Sequence, residues 1–245
     1  MKKPLLLLLP VLLVLQFGCK KETYKTAPAV LKTISTSPSG FSTTFSYDAN
    51  GRLAGMYYSG GGQTVITYAS DTATEVYSKP AGNVVSSKIV MLSTEGLATN
   101  AVVLDGSGSI TGFSNYTHSS DGYMLSELNY NAAQEYINKK EWEVSDGDVK
   151  VWFNRDTLTS ENNFEFYYDH YYIKQTNTIG NPFYRPAYYG KSSGRLTKIS
   201  KRYNYFLGNI RYSHTYTFDE FNRVSTEKVY DHNGILKYTN TYTYY

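Results

Sequence analysis

The sequence predicts an all-β chain, an antiparallel meander of about 14 strands forming a large open or closed barrel-like sheet, soluble rather than membrane-spanning. Three observations carry that expectation. From residue 33 onward, apolar and polar side chains alternate with a period of two in several stretches. Turn-forming clusters recur every ~10–15 residues, with no long amphipathic helical run between them. The chain also holds 26 tyrosines. Tyrosine has an apolar body and a polar tip, which suits a sheet whose faces are only partly dry.

At the N-terminus, Lys2 and Lys3 precede an apolar run from Leu5 to Leu15 broken only by Pro10, the profile of an export signal. The run is shorter than the roughly 20 apolar residues of a permanent membrane helix. It closes on "LQFGC", with Gly18 just before Cys19. That ending resembles the lipobox of bacterial lipoproteins, which implies removal of residues 1–18 and acylation of Cys19. The chain has 1 cysteine, so an intramolecular disulfide is excluded. Several acyl chains on Cys19 would make a durable membrane anchor. Residues 19–32 then read as lipidated cysteine and polar tether, and 33–245 as a single β-meander domain. "CKKE" is similar to the lysine-and-acid tags of Bacteroidetes surface lipoproteins. The address implied is the outer membrane, facing the periplasm or the cell surface. Cleavage would remove Lys2 and Lys3 from 24 basic residues set against 21 acidic ones, leaving a nearly neutral chain. With no basic block, no nucleic-acid partner is expected.

Within the domain, "DANG", "SGGG", "PAGN", "DGSG", "SSDG", "SDGD", "KSSG", "DEFN" and "DHNG" punctuate the strands. "NAAQEYINKK" (131–140) has the composition of a helix. In "NFEFYYDHYY", Phe164, Phe166, Tyr168, His170 and Tyr172 share a face. "GNPFYRPAYYG" (180–190) is an irregular aromatic loop, because its two prolines interrupt any strand. In "IRYSHTYTFDE", Ile210, Tyr212, His214, Tyr216 and Phe218 share one face. The last strand sets Tyr238, Tyr242 and Tyr244 opposite Thr239, Thr241 and Thr243.

"YDANGRL" (47–53) recurs as "FDEFNRV" (218–224) and "YDHNGIL" (230–236). As a hairpin, Asp48 accepts a backbone N–H two residues on, and Gly51 takes the left-handed position of a three-residue loop. The copies keep that geometry in Asp219 with Asn222 and in Asp231 with Gly234, while Arg52 and Arg223 give way to Ile235. The motif is therefore a turn. It resembles the Tyr-Asp repeats of RHS-type proteins, which build β-sheet shells. Lipobox, Tyr-rich meander and YDxxGRL hairpins together look like a group of Bacteroidetes lipoproteins of unassigned function with a porin-like β fold. The resemblance implies fold and address, and brings no activity or catalytic residues.

No catalytic motif stands out. His118, His170, His214 and His232 lack metal-ligand spacing, and there is no P-loop or Gly-x-Ser-x-Gly elbow. We expect no metal, no cofactor and no enzyme activity. Glu141/Glu143 and Asp146/Asp148 are formal candidates for glycosidase carboxylates or Ca²⁺ ligands, and strand ends explain them more simply. Ligand-binding candidates are the aromatic-face residues Trp152, His170, Tyr184, Tyr188, Tyr189 and His214. The function expected is a lipid-anchored, non-catalytic binding or interaction module that engages a glycan, a peptide or an envelope protein. The alternatives are a transmembrane porin-like channel and a glycoside hydrolase.

Overall fold

A computed structural model describes residues 30–156, 164–170, 186–191, 193, 195–204 and 208–245. The first eight strands are β1 (Leu31–Ser37), β2 (Phe41–Tyr47), β3 (Leu53–Tyr58), β4 (Gln63–Tyr68), β5 (Thr72–Ser78), β6 (Val84–Leu92), β7 (Ala98–Asp105) and β8 (Ile110–His118). The second eight are β9 (Met124–Asn131), β10 (Tyr136–Ser145), β11 (Asp148–Asp156), β12 (Phe164–His170), β13 (Thr197–Asn204), β14 (Gly208–Phe218), β15 (Val224–Tyr230) and β16 (Leu236–Tyr244). Each strand pairs with its sequence neighbours, and β1 closes on β16, so the sheet is a closed antiparallel barrel.

Three expectations are corrected. The barrel has 16 strands rather than about 14. Turn signals undercount because some hairpins carry none: Ala69 N–H donates to Thr72 O (2.9 Å) around a tip of only Ser70 and Asp71. The helix expected at 131–140 is instead the β9–β10 hairpin. Asn131 Oδ1 accepts Glu135 N–H (2.9 Å) and Gln134 takes φ +63°, so side-chain chemistry at the turn overrides helical composition. The sheet also begins earlier than expected. Leu31, assigned to the tether, is 6% exposed and pairs with Tyr244.

Hairpin connectivity gives the barrel two ends. Even-to-odd turns, with Leu31 and Tyr244, lie at one end, here called terminal; odd-to-even turns lie at the other, called distal. Sixteen strands enclose more room than their own side chains fill. In the terminal half, residues leading into β13 supply the difference. Tyr188 and Tyr189 join Ile66, Ala73, Val90 and Tyr116 in one cluster, while Leu196 joins Ile34, Phe45 and Val224 in another.

Candidate functional site

The recurring turn is a side-chain clamp. Asp48 Oδ1 accepts the N–H groups of Asn50 and Arg52 (2.9 Å each), and Gly51 N–H closes on Asp48 O (2.9 Å). Asp105, Asp219 and Asp231 repeat it atom for atom, accepting from residues two and four positions on. Ser93 makes the same pair of bonds with its hydroxyl, to Glu95 and Leu97. Arg52 and Arg223 each add an Nε bond to Asp Oδ2 (2.8 Å). At Asp219 burial works against ionisation, but the Arg223 bonds outweigh it and hold the carboxyl below its usual range. The left-handed fourth position is Gly51 at φ +74° and Asn222 at φ +60°. A Cβ on Gly51 would meet nothing within 4 Å, so a side chain there strains only the backbone. Gly51→Ala is expected to cost about 1–2 kcal/mol, read as a lower urea midpoint, whereas Asn222→Gly should be neutral.

Strand alternation divides the wall into two faces. Inward, an aromatic ladder crosses β10 to β12. Trp142 stacks on Trp152 (6.4 Å), Trp152 on Phe166 (5.0 Å) and Phe166 on Tyr168 (6.3 Å), and His170 lies 6.5 Å beyond Tyr168. His170 is 8% exposed, and its Nδ1 has no hydrogen-bond partner among the described residues. Burial lowers its basicity, and Asp148 opposes that only in part. Tyr188 and Tyr189 are buried, and both hydroxyls donate to Glu75 Oε1 (2.5 and 2.7 Å). Burial first, then the Glu75 charge, pushes both phenols up. Their rings are covered by each other (4.7 Å), by Tyr68 and by Tyr116. They anchor an inserted segment and offer no open platform. Cys19 and Tyr184 lie outside the described residues.

His214 is the hub of a polar network that composition does not reveal. Its Nε2 lies 2.8 Å from Ser200 Oγ and its Nδ1 2.9 Å from Glu227 Oε1. Glu227 also accepts from Asn240 Nδ2 (2.8 Å) and Tyr242 OH (2.8 Å), and Tyr216 OH shares its one proton between Thr197 O (2.9 Å) and Glu227 Oε1 (3.1 Å). Burial alone would raise the Glu227 carboxyl, but the bonds from His214, Asn240 and Tyr242 hold it below its usual range.

The proposed acid pairs do not converge. Asp148 is fully buried and paired with Arg195, while Glu141 bridges Lys139 (2.7 Å) and Arg155 (3.7 Å) on the outer face. No group of three metal-ligating side chains occurs among the described residues.

On the outer wall, Ile89, Val102, Phe113 and Tyr130 are successive cross-strand neighbours over β6 to β9. A groove of about 450 Å³ opens over this row, with Asn100, Asn115 and Gln134 beside Phe113 and Tyr130. Turn chemistry places Gln134 at its edge, and sequence reasoning missed the groove because its lining spans three strands and a turn.

The RHS Repeat family model matches residues 31–64, a stretch that includes "YDANGRL". A porin-like protein from Bacteroides uniformis ATCC 8492 superposes with a TM-score of 0.67 at 14% identity, covering 89% of this chain and 98% of its own. A porin-like protein from Bacteroides vulgatus ATCC 8482 gives 0.51 at 12% identity, covering 88% and 98%. Among curated proteins, none matches. The chain has a porin-like β fold with RHS-like repeats, as the hairpin motifs implied.

Proposed function

We propose that this chain is a lipid-anchored barrel of the outer envelope whose outer wall binds a neutral glycan. The observation that carries the reading is the groove over β7 to β9. Phe113 and Tyr130 supply flat apolar faces for a sugar ring, and the amides of Asn100, Asn115 and Gln134 can donate to and accept from its hydroxyls. Among the described residues no charged side chain lines it, which favours an uncharged ligand. Tyr130→Ala is expected to weaken binding to the glycans retained on an array by tenfold or more, the loss of about 1.4 kcal/mol or more. An array that retains none, or an unchanged affinity in Tyr130→Ala, would reject the groove.

Cys19 is the proposed anchor, and the barrel itself is proposed to stay outside the bilayer. A membrane-spanning barrel needs an outward apolar band about 25 Å tall. Against that, the outer face of β10 to β13 carries Lys139, Glu141, Arg155, Asp169 and Lys201, joined in part by ion pairs such as Lys201–Asp169 (3.9 Å). The pore reading requires Cys19→Ser protein to need detergent for solubility and to conduct in planar bilayers. The anchored reading requires neither.

A further inference from the structure

Three consecutive strands bring Ser200 (β13), His214 (β14) and Glu227 (β15) together on the inward face, near mid-height. The connectivity is Oγ to Nε2 (2.8 Å) and Nδ1 to Oε1 (2.9 Å). An ionised carboxylate only accepts, so in the neutral ring Nδ1 carries the proton and the Nε2 lone pair is left to accept from the serine hydroxyl. That is the tautomer a general base needs. We propose that Ser200 is a nucleophile, His214 its general base and Glu227 the positioning residue, hydrolysing carboxylic esters of small acyl groups.

Cross-strand fastening alone does not call for such an arrangement. Elsewhere on the same strands, paired hydroxyls suffice, as in Thr217 with Thr226 (2.6 Å). A histidine held between a serine and a carboxylate that accepts three further bonds is a costlier device to bury. Those bonds, from Tyr216, Asn240 and Tyr242, prevent the carboxylate from rotating away from the ring.

In the reaction, Ser200 Oγ bonds to the ester carbonyl carbon and its proton passes to His214 Nε2. Collapse of the tetrahedral adduct breaks the bond to the alkoxy oxygen, which leaves with the Nε2 proton. Water then attacks the acyl-serine through the same base. Net, ester and water become carboxylic acid and alcohol, with no change of oxidation state. Ser200 stands between Tyr168 and Tyr212 in register, which walls the acyl side closely. Backbone ladders to β12 and β14 occupy the strand around Ser200, so the oxyanion must be met by a side chain; Arg202, two residues on, shares the inward face. A pocket of about 420 Å³ at the distal end, lined by Thr36, Tyr238 and Asn240 among others, marks the side from which the ester would approach. Asn240 joins that pocket to Glu227.

The test is treatment of the purified protein with a biotinylated fluorophosphonate, followed by peptide mapping and p-nitrophenyl acetate kinetics. An adduct on Ser200 is expected, absent in Ser200→Ala. His214→Asn should slow both labelling and hydrolysis by ~100-fold or more. Glu227→Gln should lower kcat with little change in KM, a split that a merely structural role would not produce. Circular dichroism checks folding of each variant. Should His214→Asn fail to fold, diethyl pyrocarbonate modification of His214 in the wild type must abolish labelling instead. An unlabelled wild type, an adduct elsewhere, or wild-type rates in Ser200→Ala overturns the assignment.

Discussion

Asp148→Ala is expected to destabilise the barrel by about 3–5 kcal/mol, a large share of the roughly 5–15 kcal/mol that holds a typical domain folded. Asp148 has no exposed side-chain surface, and Arg195 is 23% exposed. Asp148 Oδ1 accepts Arg195 N–H (2.9 Å) and its Oδ2 accepts Arg195 Nε, with Lys150 Nζ at 3.9 Å. Removing the carboxylate therefore leaves a half-buried guanidinium and a backbone donor without their acceptor, and the cost is mainly that of the groups left behind. The effect should spread to the inserted segment. Val149 N–H to Ser193 Oγ (3.0 Å), Lys191 N–H to Gly122 O (2.8 Å) and the Glu75 bonds are among its other attachments. Leu196, at 2% exposure, follows directly on Arg195. A lower urea midpoint and faster proteolysis between residues 186 and 196 are the expected readings. Asp148→Asn retains an acceptor for Arg195 N–H and should cost less. Adding Arg195→Met to Asp148→Ala should recover part of the loss, since the stranded charge goes with it.

How far these contacts could be read in advance depended on whether a local turn set the register. The Asp48, Asp219 and Asp231 hairpins were legible because the clamp is made within five residues. Fixing the Asp219 turn also fixes β14 against β15, so Tyr216 opposite Glu227 follows by counting outward past one bulge. Glu227 beside His214 was in that sense available, though composition hid it in "VSTEKVY". Ser200 was not available, because the sequence between β13 and β14, "NYFLG" (204–208), lacks the Asp-headed motif of the recurring turn. The strand count fell short for the same reason at Ser70–Asp71. At 131–140 the Ala, Gln, Glu and Lys content pointed to a helix, while Asn131 and Gln134 set a turn. Tyr188 and Tyr189 stand out in the sequence only as ligand-binding candidates in an irregular aromatic loop; their bond partner Glu75 lies 113 and 114 residues away, beyond any pattern read along the chain.

Glu227 supplies the second large effect, and here the sign follows from its hydrogen bonds. Burial disfavours its charge, yet donors from His214, Asn240 and Tyr242 outweigh that, so its folded carboxyl titrates lower than the unfolded one. A depressed carboxyl contributes stability that is fully present above the unfolded value, near 4.5, and is lost as pH falls through the folded value. The wild-type urea midpoint should therefore hold steady at neutral pH and decline once the medium is more acidic than about pH 4.5. Glu227→Gln removes the titration and should flatten that part of the decline. It should also destabilise the protein at pH 7 by about 2–3 kcal/mol. A glutamine amide can accept on one side only, while Tyr216 OH, Tyr242 OH, Asn240 Nδ2 and His214 Nδ1 all donate toward it. Tyr216 OH keeps Thr197 O (2.9 Å), but the other three donors reach both former carboxylate oxygens and one amide oxygen cannot satisfy them all, so strands β14, β15 and β16 lose their common tie. An acid limb that is unchanged in Glu227→Gln would mean that the turn aspartates, such as Asp219, carry the acid sensitivity instead.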